Sequence, residues 1–467
     1  MFGLKMVGLM VAVLAMFINV AVAVPARGMI GPVRQIANQT ATLSAADGLF
    51  KGRRNGPLEY HRTLSKYNIP IPDGLKIAVN RYAEKLPIGD TGRVPASSQN
   101  GDLEWVAPAD IGTPSQRLYL DFDTGSADTW VFTNDTATKN VKGQTIFDIN
   151  NSTTAKLIPN CTWSIMYGDF SSSSGVVYKD NFALGDLIIK DMTIESAKQV
   201  STQFSNQKEM SGLVGLAFSK IIETKPKQKS LTDFLPEVLE EPIFTTDLRH
   251  NSSDGSFNFG FIDRGLHDSE IEYVGIDSSD GFWGVSFKGF AAKDSSDYSY
   301  EFSDPPTVIL DTGSTLFYAP DEAVTAYYKN HVPLANFSYT EYGWILPCNS
   351  TPPSFIWELT DKDDNVVQGE VPGEYLPYAV LDTKGSPEGY CYSGLQSLGG
   401  FTSLQGILGD VFLKSGFQVW NLVQERIGFA PKSLPPMTPR GLAGHGKWSD
   451  TRSAQEIMAN KTRKIIL

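Results

Sequence analysis

A four-residue run occurs twice in this chain, once in each half. Asp123-Thr124-Gly125-Ser126 returns as Asp311-Thr312-Gly313-Ser314, and each copy stands between apolar stretches. Each half then carries an apolar-apolar-Gly element at similar spacing, Leu213-Val214-Gly215 in the first and Ile407-Leu408-Gly409 in the second. Similar spacing of two unlike motifs indicates an internal duplication. We therefore expect two lobes related by a pseudo-two-fold axis, with one motif contributed by each lobe.

The duplication predicts that two carboxyl groups meet at the boundary between the lobes. Asp123 and Asp311 occupy matching places in the two motifs. Two carboxyl groups a few ångströms apart in a partly dry site cannot readily both ionise, because like charges repel. Such a pair therefore holds an acid and a base side by side, which is the combination that proton transfer needs.

The remaining pattern favours an all-β architecture. From Trp105 onward, alternating apolar and polar residues are punctuated by Gly, Asn and Asp, which predicts many short strands. In this part of the chain helices are predicted at 231–239 and 321–330, and in the leader an amphipathic helix is predicted at 75–86. The join between the lobes is expected near 273–287. The predicted organisation is a signal peptide at 1–23, a propeptide at 24–95 with an approximate end, an N-terminal lobe at 96–280, a C-terminal lobe at 281–431 and a basic, disordered tail at 432–467.

These motifs resemble the pepsin-like aspartic proteases. The run 122–128 with Tyr167-Gly168-Asp169 is most similar to fungal enzymes of the penicillopepsin and aspergillopepsin type, and the similarity extends from about Trp105 to Pro431. The resemblance implies a bilobal all-β fold with a cleft between the lobes. It also implies an endopeptidase that cleaves polypeptides at acidic pH through a water activated between Asp123 and Asp311, without a cofactor.

The alternative function is a catalytically silent homologue that binds peptides. Loss of either aspartate, or of the glycine after it, would favour that alternative, and neither loss occurs. The residues that flank the aspartates have expected supporting roles. The glycines permit close backbone approach, the threonines tie the two loops together, and the serines donate to the carboxylates. These six residues are Thr124, Gly125, Ser126, Thr312, Gly313 and Ser314.

The segment 163–177 reads as a hairpin with a polar tip. By resemblance it is the flap that closes over substrate, with Gly168 and Asp169 at its tip. Tyr167 is then the flap tyrosine, and Trp130 is its hydrogen-bonding neighbour. Phe170 stands where relatives tend to carry Gly, which leaves the turn geometry open and would add an apolar contact with substrate.

Asp121 is a charged residue within the apolar stretch that leads into the first motif. Strand side chains alternate, so Asp121 and Asp123 face the same side of the strand, toward the predicted cleft. Asp121 is therefore expected at the pocket for the residue before the scissile bond, where Asp169 resembles the flap aspartate that lets fungal members accept lysine. The alternative is that Asp121 hydrogen-bonds to a neighbouring loop and stays outside the pocket.

Charge is distributed unevenly along the 467 residues, whose net charge is −12. Residues 24–98 hold 11 Lys and Arg against 5 Asp and Glu, whereas residues 99–431 carry a net charge of −24. A basic leader beside an acidic body predicts an intramolecular electrostatic lock, with the propeptide as inhibitor, and plain solubility is the alternative reason for the charge. Lys66-Tyr67 resembles the Lys-Tyr of related proforms, so Lys66 is the candidate for the cation that reaches the two aspartates, although a solvated helix lysine is an equal alternative.

An acidic body argues against nucleic acid as a partner, because phosphate binding needs clustered cations.

The N-terminus predicts secretion. Residues 6–23 are uncharged, follow Lys5 and end in Ala21-Val22-Ala23, as in a cleavable signal peptide. A membrane anchor is the competing interpretation, and a vacuolar destination is a weaker alternative to the extracellular space. We expect a monomer without a stable membrane anchor. Nine Asn-x-Ser/Thr sequons fit passage through the secretory pathway: Asn38, Asn134, Asn150, Asn151, Asn160, Asn251, Asn336, Asn349 and Asn460.

Three cysteines occur in the chain. Cys348 and Cys391 resemble, by position, the single disulfide of fungal family members, and a secreted chain permits such a bond. Cys161 is then left over within a predicted strand, where a buried and inert thiol is expected. Neither the cysteine spacing nor the five His residues indicate a metal site.

Overall fold

The computed structural model describes most of the chain between residues 92 and 432. Several predictions fall outside this part: the signal peptide, the leader up to residue 91 with Lys66, the flap residue Asp169 and the tail from residue 433. The described residues are 92–99, 104–168, 170–250, 252, 255–293, 299–381, 387–398 and 404–432.

The described residues form 26 strands, and the all-β prediction is confirmed. Those of the first half are β1 (Gly92–Gln99), β2 (Glu104–Ile111), β3 (Gln116–Asp123), β4 (Thr129–Phe132), β5 (Lys156–Met166), β6 (Ser172–Leu184), β7 (Leu187–Val200), β8 (Gly212–Gly215), β9 (Thr224–Lys225), β10 (Ile243–Asp247), β11 (Gly255–Phe259) and β12 (Glu272–Gly275). Those of the second half are β13 (Gly284–Ala292), β14 (Ser299–Glu301), β15 (Thr307–Leu310), β16 (Phe317–Tyr318), β17 (Asn336–Ser338), β18 (Gly343–Pro347), β19 (Phe355–Thr360), β20 (Val366–Val371), β21 (Pro377–Val380), β22 (Tyr390–Ser393), β23 (Leu395–Gln396), β24 (Ile407–Leu408), β25 (Phe417–Asn421) and β26 (Arg426–Ala430).

Helices are few and short. The two helices predicted after Trp105 occur as α2 and α3, within one residue of their expected ends. Helix α2 begins with a capping box, in which Ser230 and Asp233 each bond the other's backbone. The helices are α1 (Thr202–Ser205), α2 (Leu231–Val238), α3 (Asp321–His331) and α4 (Asp410–Leu413), with 3-10 turns at Thr138–Asn140, Ile149–Asn151, Ser219–Ile221 and Gly373–Tyr375.

Strand pairing repeats in the two halves, as the duplication predicts. In the first half, β3 runs parallel to β8, which pairs antiparallel with β4. In the second half, β15 runs parallel to β24, which pairs antiparallel with β16. Each strand that leads into an Asp-Thr-Gly motif therefore lies beside the strand that carries the apolar-apolar-Gly element. The two halves thus build the same local frame around their aspartates.

The strands form a fourteen-stranded, an eight-stranded and a four-stranded sheet. The large sheet also takes in β25 and β26, which come from the C-terminal end of the chain and pair with β10 and β12. The predicted C-terminal lobe therefore sends its last strands into a sheet shared with the first lobe. Strand β12 belongs to the large sheet and β13 to the second, so the change of sheet falls between Gly275 and Gly284, inside the predicted join.

Folded structure extends across two of the predicted domain boundaries. Strand β1 crosses the predicted end of the propeptide at residue 95, and Val94 is 0% exposed in the core. Arg93 also pairs with Asp263 at 2.6 Å. At the other end Lys432, assigned to the tail, is buried and donates to the carbonyl oxygen of Lys414 at 2.9 Å. The folded body therefore includes residues 92–95 and Lys432.

An aromatic layer lies where the shared sheet meets both halves. The rings of Phe244 and Trp420 stack with centroids 5.3 Å apart, and Trp283 meets Trp420 edge-on at 5.1 Å. The Trp283 indole N–H donates to the carbonyl oxygen of Leu216 at 2.9 Å, just beyond β8. Each aromatic pair of this kind contributes about 0.5–1.5 kcal/mol beyond its buried area. Through the Trp283 bond the layer contacts the end of β8, which lies beside the strand that leads into the first motif.

The cysteines follow the sequence prediction. Cys348 and Cys391 form a disulfide, and Cys161 is a buried free thiol. In the part of the chain that the structure describes, no helix has the length and apolar character that crossing a membrane requires.

Candidate active site

The two predicted aspartates lie at the carboxyl ends of matching strands. Asp123 ends β3, where it is the register partner of Gly215 on β8. Asp311 follows β15, and its N–H donates to the carbonyl oxygen of Leu408 on β24 at 3.1 Å. Both aspartates are 0% exposed. The parallel pairing places each carboxyl group at the end of a buried strand, facing the other half.

The two motif loops are tied together by their threonines. The Thr124 N–H donates to Thr312 Oγ1, and the Thr312 N–H donates to Thr124 Oγ1, each at 3.0 Å. Each hydroxyl then donates across the boundary, from Thr124 to the Leu310 carbonyl at 3.0 Å and from Thr312 to the Phe122 carbonyl at 2.7 Å. These four buried hydrogen bonds are related in pairs by the pseudo-two-fold symmetry. They fix the position of one motif loop relative to the other.

Each carboxyl group is oriented by its own motif. The Gly125 N–H donates to Asp123 Oδ1 at 2.9 Å, and the Ser126 hydroxyl donates to Asp123 Oδ2. In the second half, the Gly313 N–H donates to Asp311 Oδ1 at 2.8 Å, and the hydroxyl of Ser314 donates to Oδ2 at 2.5 Å. Hydrogen bonds to a carboxylate favour its charged form and restrict its rotation.

Gly125 is required by the close approach of the two halves. A Cβ atom at this position would lie 2.5 Å from both Cγ and Oδ1 of Asp311. Real Cβ atoms do not come so close, so any larger residue would push the second aspartate away. The same distance shows that the carboxyl group of Asp311 lies directly against the first motif. The structure thus brings the predicted aspartates and their supporting residues together.

The predicted flap is a hairpin of β5 and β6, and its tyrosine packs inward. The Trp130 indole N–H donates to the hydroxyl oxygen of Tyr167 at 2.9 Å. The ring of Phe204 meets Tyr167 edge-on at 5.5 Å and Trp130 edge-on at 4.9 Å. Burial, with the nearby carboxyl groups of Asp128 and Asp123, holds the pKa of the Tyr167 hydroxyl well above its usual value. This hydroxyl therefore remains a hydrogen-bond donor.

The turn of this hairpin places Phe170 in a backbone conformation that favours glycine. Phe170 has a φ of +63°, in the left-handed region. For a residue other than glycine that conformation costs about 1–2 kcal/mol. The turn geometry that the sequence left open is therefore a tight turn in which Phe170 adopts the left-handed conformation.

Asp121 lies beneath the flap. It is 2% exposed and is the register partner of Val106 on β2 and of Leu213 on β8. Directly opposite residues share a face of a sheet. Val106 and Leu213 pack in the same apolar cluster as Trp130 and Tyr167. Asp121 therefore shares its face of the sheet with the apolar cluster that contains Trp130 and Tyr167.

Comparison with known proteins agrees with this geometry. The family model for eukaryotic aspartyl proteases matches residues 104–432. Endothiapepsin from Cryphonectria parasitica is 39% identical over 81% of this chain and 87% of its own length. Podosporapepsin from Podospora anserina is 38% identical over 80% and 86%, and Penicillopepsin-2 from Penicillium janthinellum is 35% identical over 81% and 88%.

This chain belongs to the eukaryotic aspartyl protease family. It is an aspartic-type endopeptidase, a hydrolase of peptide bonds, and the relatives named above are fungal. The family resemblance, the pepsin-like fold and the enzyme class expected from the sequence are confirmed. Among the described residues of this protease, no group of three or more His, Cys, Asp or Glu side chains is arranged to hold a metal ion.

One feature of the protease was missed by sequence reasoning. Asp128 and Glu195 are a buried carboxyl pair between the first motif and β7. Burial raises the pKa of Asp128 to about 7, and burial beside Asp128 raises that of Glu195 well above its usual value. Asp128 Oδ2 and both Glu195 oxygens accept no hydrogen bond from a described donor. A proton held between the two groups would satisfy Asp128 Oδ2 and one of the two Glu195 oxygens. The residues lie 67 positions apart, and no periodicity links them; only the parallel pairing of Trp130 with Glu195 brings them together.

Proposed function

We propose that this chain is a secreted aspartic endopeptidase that works at acidic pH and is made as an inactive proform. The observation that carries the proposal is the symmetric threonine network, which holds Asp123 and Asp311 against each other with both carboxyl groups oriented. Polypeptides are the substrates. The leader from residue 24 to the start of the body is the intramolecular inhibitor, and no partner subunit is needed.

The proposed reaction uses one proton shared between the two aspartates. The ionised carboxylate takes a proton from water as the water oxygen attacks the peptide carbonyl carbon. The protonated carboxyl group donates to the carbonyl oxygen, and a proton then passes to the nitrogen as the carbon–nitrogen bond breaks. The two groups exchange roles in one turnover. Activity requires the singly protonated pair, so an acidic optimum is expected.

Closure of the flap would complete the site. Tyr167 and Gly168 belong to the segment that covers the peptide, and Trp130 holds the tyrosine in a defined position until substrate arrives. Exclusion of water strengthens the electrostatic interactions inside the closed cleft. Asp169 is assigned to substrate binding on the resemblance alone.

Secretion and glycosylation remain part of the proposal. The signal-like segment 1–23 directs the chain to the secretory pathway, with the extracellular space as its destination. Six sequon asparagines lie in the described part of the chain, and all six are exposed, as modification requires. They are Asn134, Asn150, Asn151, Asn160, Asn336 and Asn349; Asn38, Asn251 and Asn460 lie outside the described residues.

The decisive experiment replaces one aspartate. Asp311→Asn keeps the size of the side chain but removes its acid and base functions, so cleavage of a denatured protein at pH 3 to 5 should fall by at least about 10²–10⁴-fold. The wild-type activity should be blocked by a statine-type inhibitor. Asp304→Asn, at an exposed carboxylate in the same half, is the matched control and should cleave normally.

The outcomes separate the two candidate functions. Wild-type turnover by a folded Asp311→Asn variant, with folding checked by circular dichroism, would refute the proposed reaction. A wild-type chain that binds the inhibitor but cleaves no protein after removal of its leader would instead identify a silent peptide-binding homologue. No feature of the described residues favours that second function.

A further inference from the structure

The tip of the flap carries an aromatic side chain on a strained backbone. The Phe170 N–H donates to the carbonyl oxygen of Tyr167 at 2.9 Å, and the Tyr167 N–H donates to that of Ser171 at 2.8 Å. These bonds define a tight turn that is followed by one left-handed residue, the position that glycine normally fills in such hairpins. Backbone strain that persists beside an active site points to a role in function.

The Phe170 ring is turned to solvent. Its side chain is 72% exposed, whereas the alternate residues of the same hairpin, Trp163 and Ile165, are buried against the lobe. A single exposed aromatic residue is common and means little by itself. Here, however, Phe170 belongs to the same turn as Tyr167, because its N–H donates to the Tyr167 carbonyl oxygen. Phe170 is therefore carried by the segment that we propose covers the cleft.

We infer that Phe170 is a specificity-determining residue whose ring packs against a large apolar side chain of the bound peptide, beside the scissile bond, when the flap closes. This inference rests on the proposed function. The chemistry that the ring recognises is a Leu, Ile, Phe, Tyr or Trp side chain at one position of the substrate. Contact removes apolar surface of both partners from water, and covering about a third of the ring accounts for roughly a tenfold preference.

Two variants remove the ring without forbidding the turn. Glycine and asparagine both accept the left-handed conformation, so Phe170→Gly and Phe170→Asn should fold and retain the hairpin. Phe170→Tyr keeps the aromatic surface. Leu157→Ser is the matched control, because Leu157 is an exposed apolar residue at the opposite end of β5.

The readout is a peptide library at pH 4, from which kcat/KM is obtained for each residue at each position. The wild-type enzyme should prefer large apolar residues over Ala by about tenfold at one position near the scissile bond. Phe170→Gly and Phe170→Asn should both lose this preference and keep the preferences at the other positions. Phe170→Tyr and Leu157→Ser should match the wild-type profile.

Two outcomes would overturn the inference. If the Gly and Asn variants retain the wild-type profile, the ring does not select substrate. If kcat/KM falls equally for all peptides, Phe170 acts on flap movement rather than on specificity. A wild-type enzyme that cleaves no peptide in the library would instead refute the proposed function, and the inference with it.

Discussion

At the residue scale, Asp121 bears on which peptides fit the cleft. Its carboxyl group shares a face with Val106 and Leu213, beneath the flap tyrosine. A cation in a poorly screened site gains a partner from such a carboxylate. We therefore predict cleavage after Lys or Arg as well as after Phe, Leu and Tyr. Asp121→Asn, and separately Asp169→Ala, should lower kcat/KM for the basic peptides about tenfold, while the apolar peptides serve as the internal control.

Peptide profiling at pH 4 tests this prediction. Complete exclusion of basic residues before the scissile bond would contradict it, and so would an unchanged ratio of basic to apolar cleavage in both variants. Either result would favour the alternative in which Asp121 hydrogen-bonds to a neighbouring loop and stays outside the pocket.

At the element scale, the Asp128 and Glu195 pair links the first motif to β7 and makes stability depend on pH. Both groups have pKa values raised by burial, that of Asp128 from 3.8 to about 7, with Glu223 adding negative charge and Lys227 offsetting part of it. Between these values the folded state holds more protons than the unfolded chain. The free energy of unfolding should therefore be highest at acidic pH and fall as the pH rises through about 7.

Asp128→Asn tests this linkage. The amide group donates to Glu195 at every pH and leaves one titrating carboxyl group instead of two. The pH at which the fold is lost, followed by tryptophan fluorescence, should rise by about one unit. Asp304→Asn, at an exposed carboxylate, should leave it unchanged. A variant that unfolds at the wild-type pH would show that the pair does not limit stability.

Prediction from sequence succeeded where neighbours in sequence build the element. The motif loops, the flap hairpin and helices α2 and α3 depend on local turn residues, caps and periodicity. It failed at β1, whose sequence Gly92–Gln99 is polar and contains a proline, so only its pairing with β11 and β2 reveals it as a strand. Phe204, which packs on Tyr167, was also missed, because nothing in the sequence of a four-residue helix marks it as part of the site.

At the scale of the whole molecule, β1 sets where the leader can end. Residues 92–96 pair with β11, Val94 is buried, and Arg93 bonds Asp263. We predict that the mature enzyme begins at or before Gly92, as N-terminal sequencing of active protein would show. A mature chain that starts at Ala96 should lose about 2 kcal/mol for Val94 alone and melt roughly 5 °C lower than one that starts at Ile88. An active enzyme that naturally begins at Ala96 would contradict the prediction.

The opposite charges of leader and body predict an acid-opened lock. Residues 24–91, which precede β1, hold 10 Lys and Arg against 5 Asp and Glu, a net charge of +5, whereas residues 92–431 carry −23. Acid protonates body carboxylates, so the attraction weakens as the pH falls. The full chain should be inactive at neutral pH and become active on acidification. Lys66→Ala should open at a higher pH than the wild type, whereas Lys76→Ala, another leader lysine, should shift less. For each variant, the activity measured after incubation at a series of pH values gives the pH at which the leader opens. If this pH shifts equally in the Lys66 and Lys76 variants, or in neither, Lys66 is not part of the lock. A leader-bearing chain that is fully active at pH 7 would refute the lock itself.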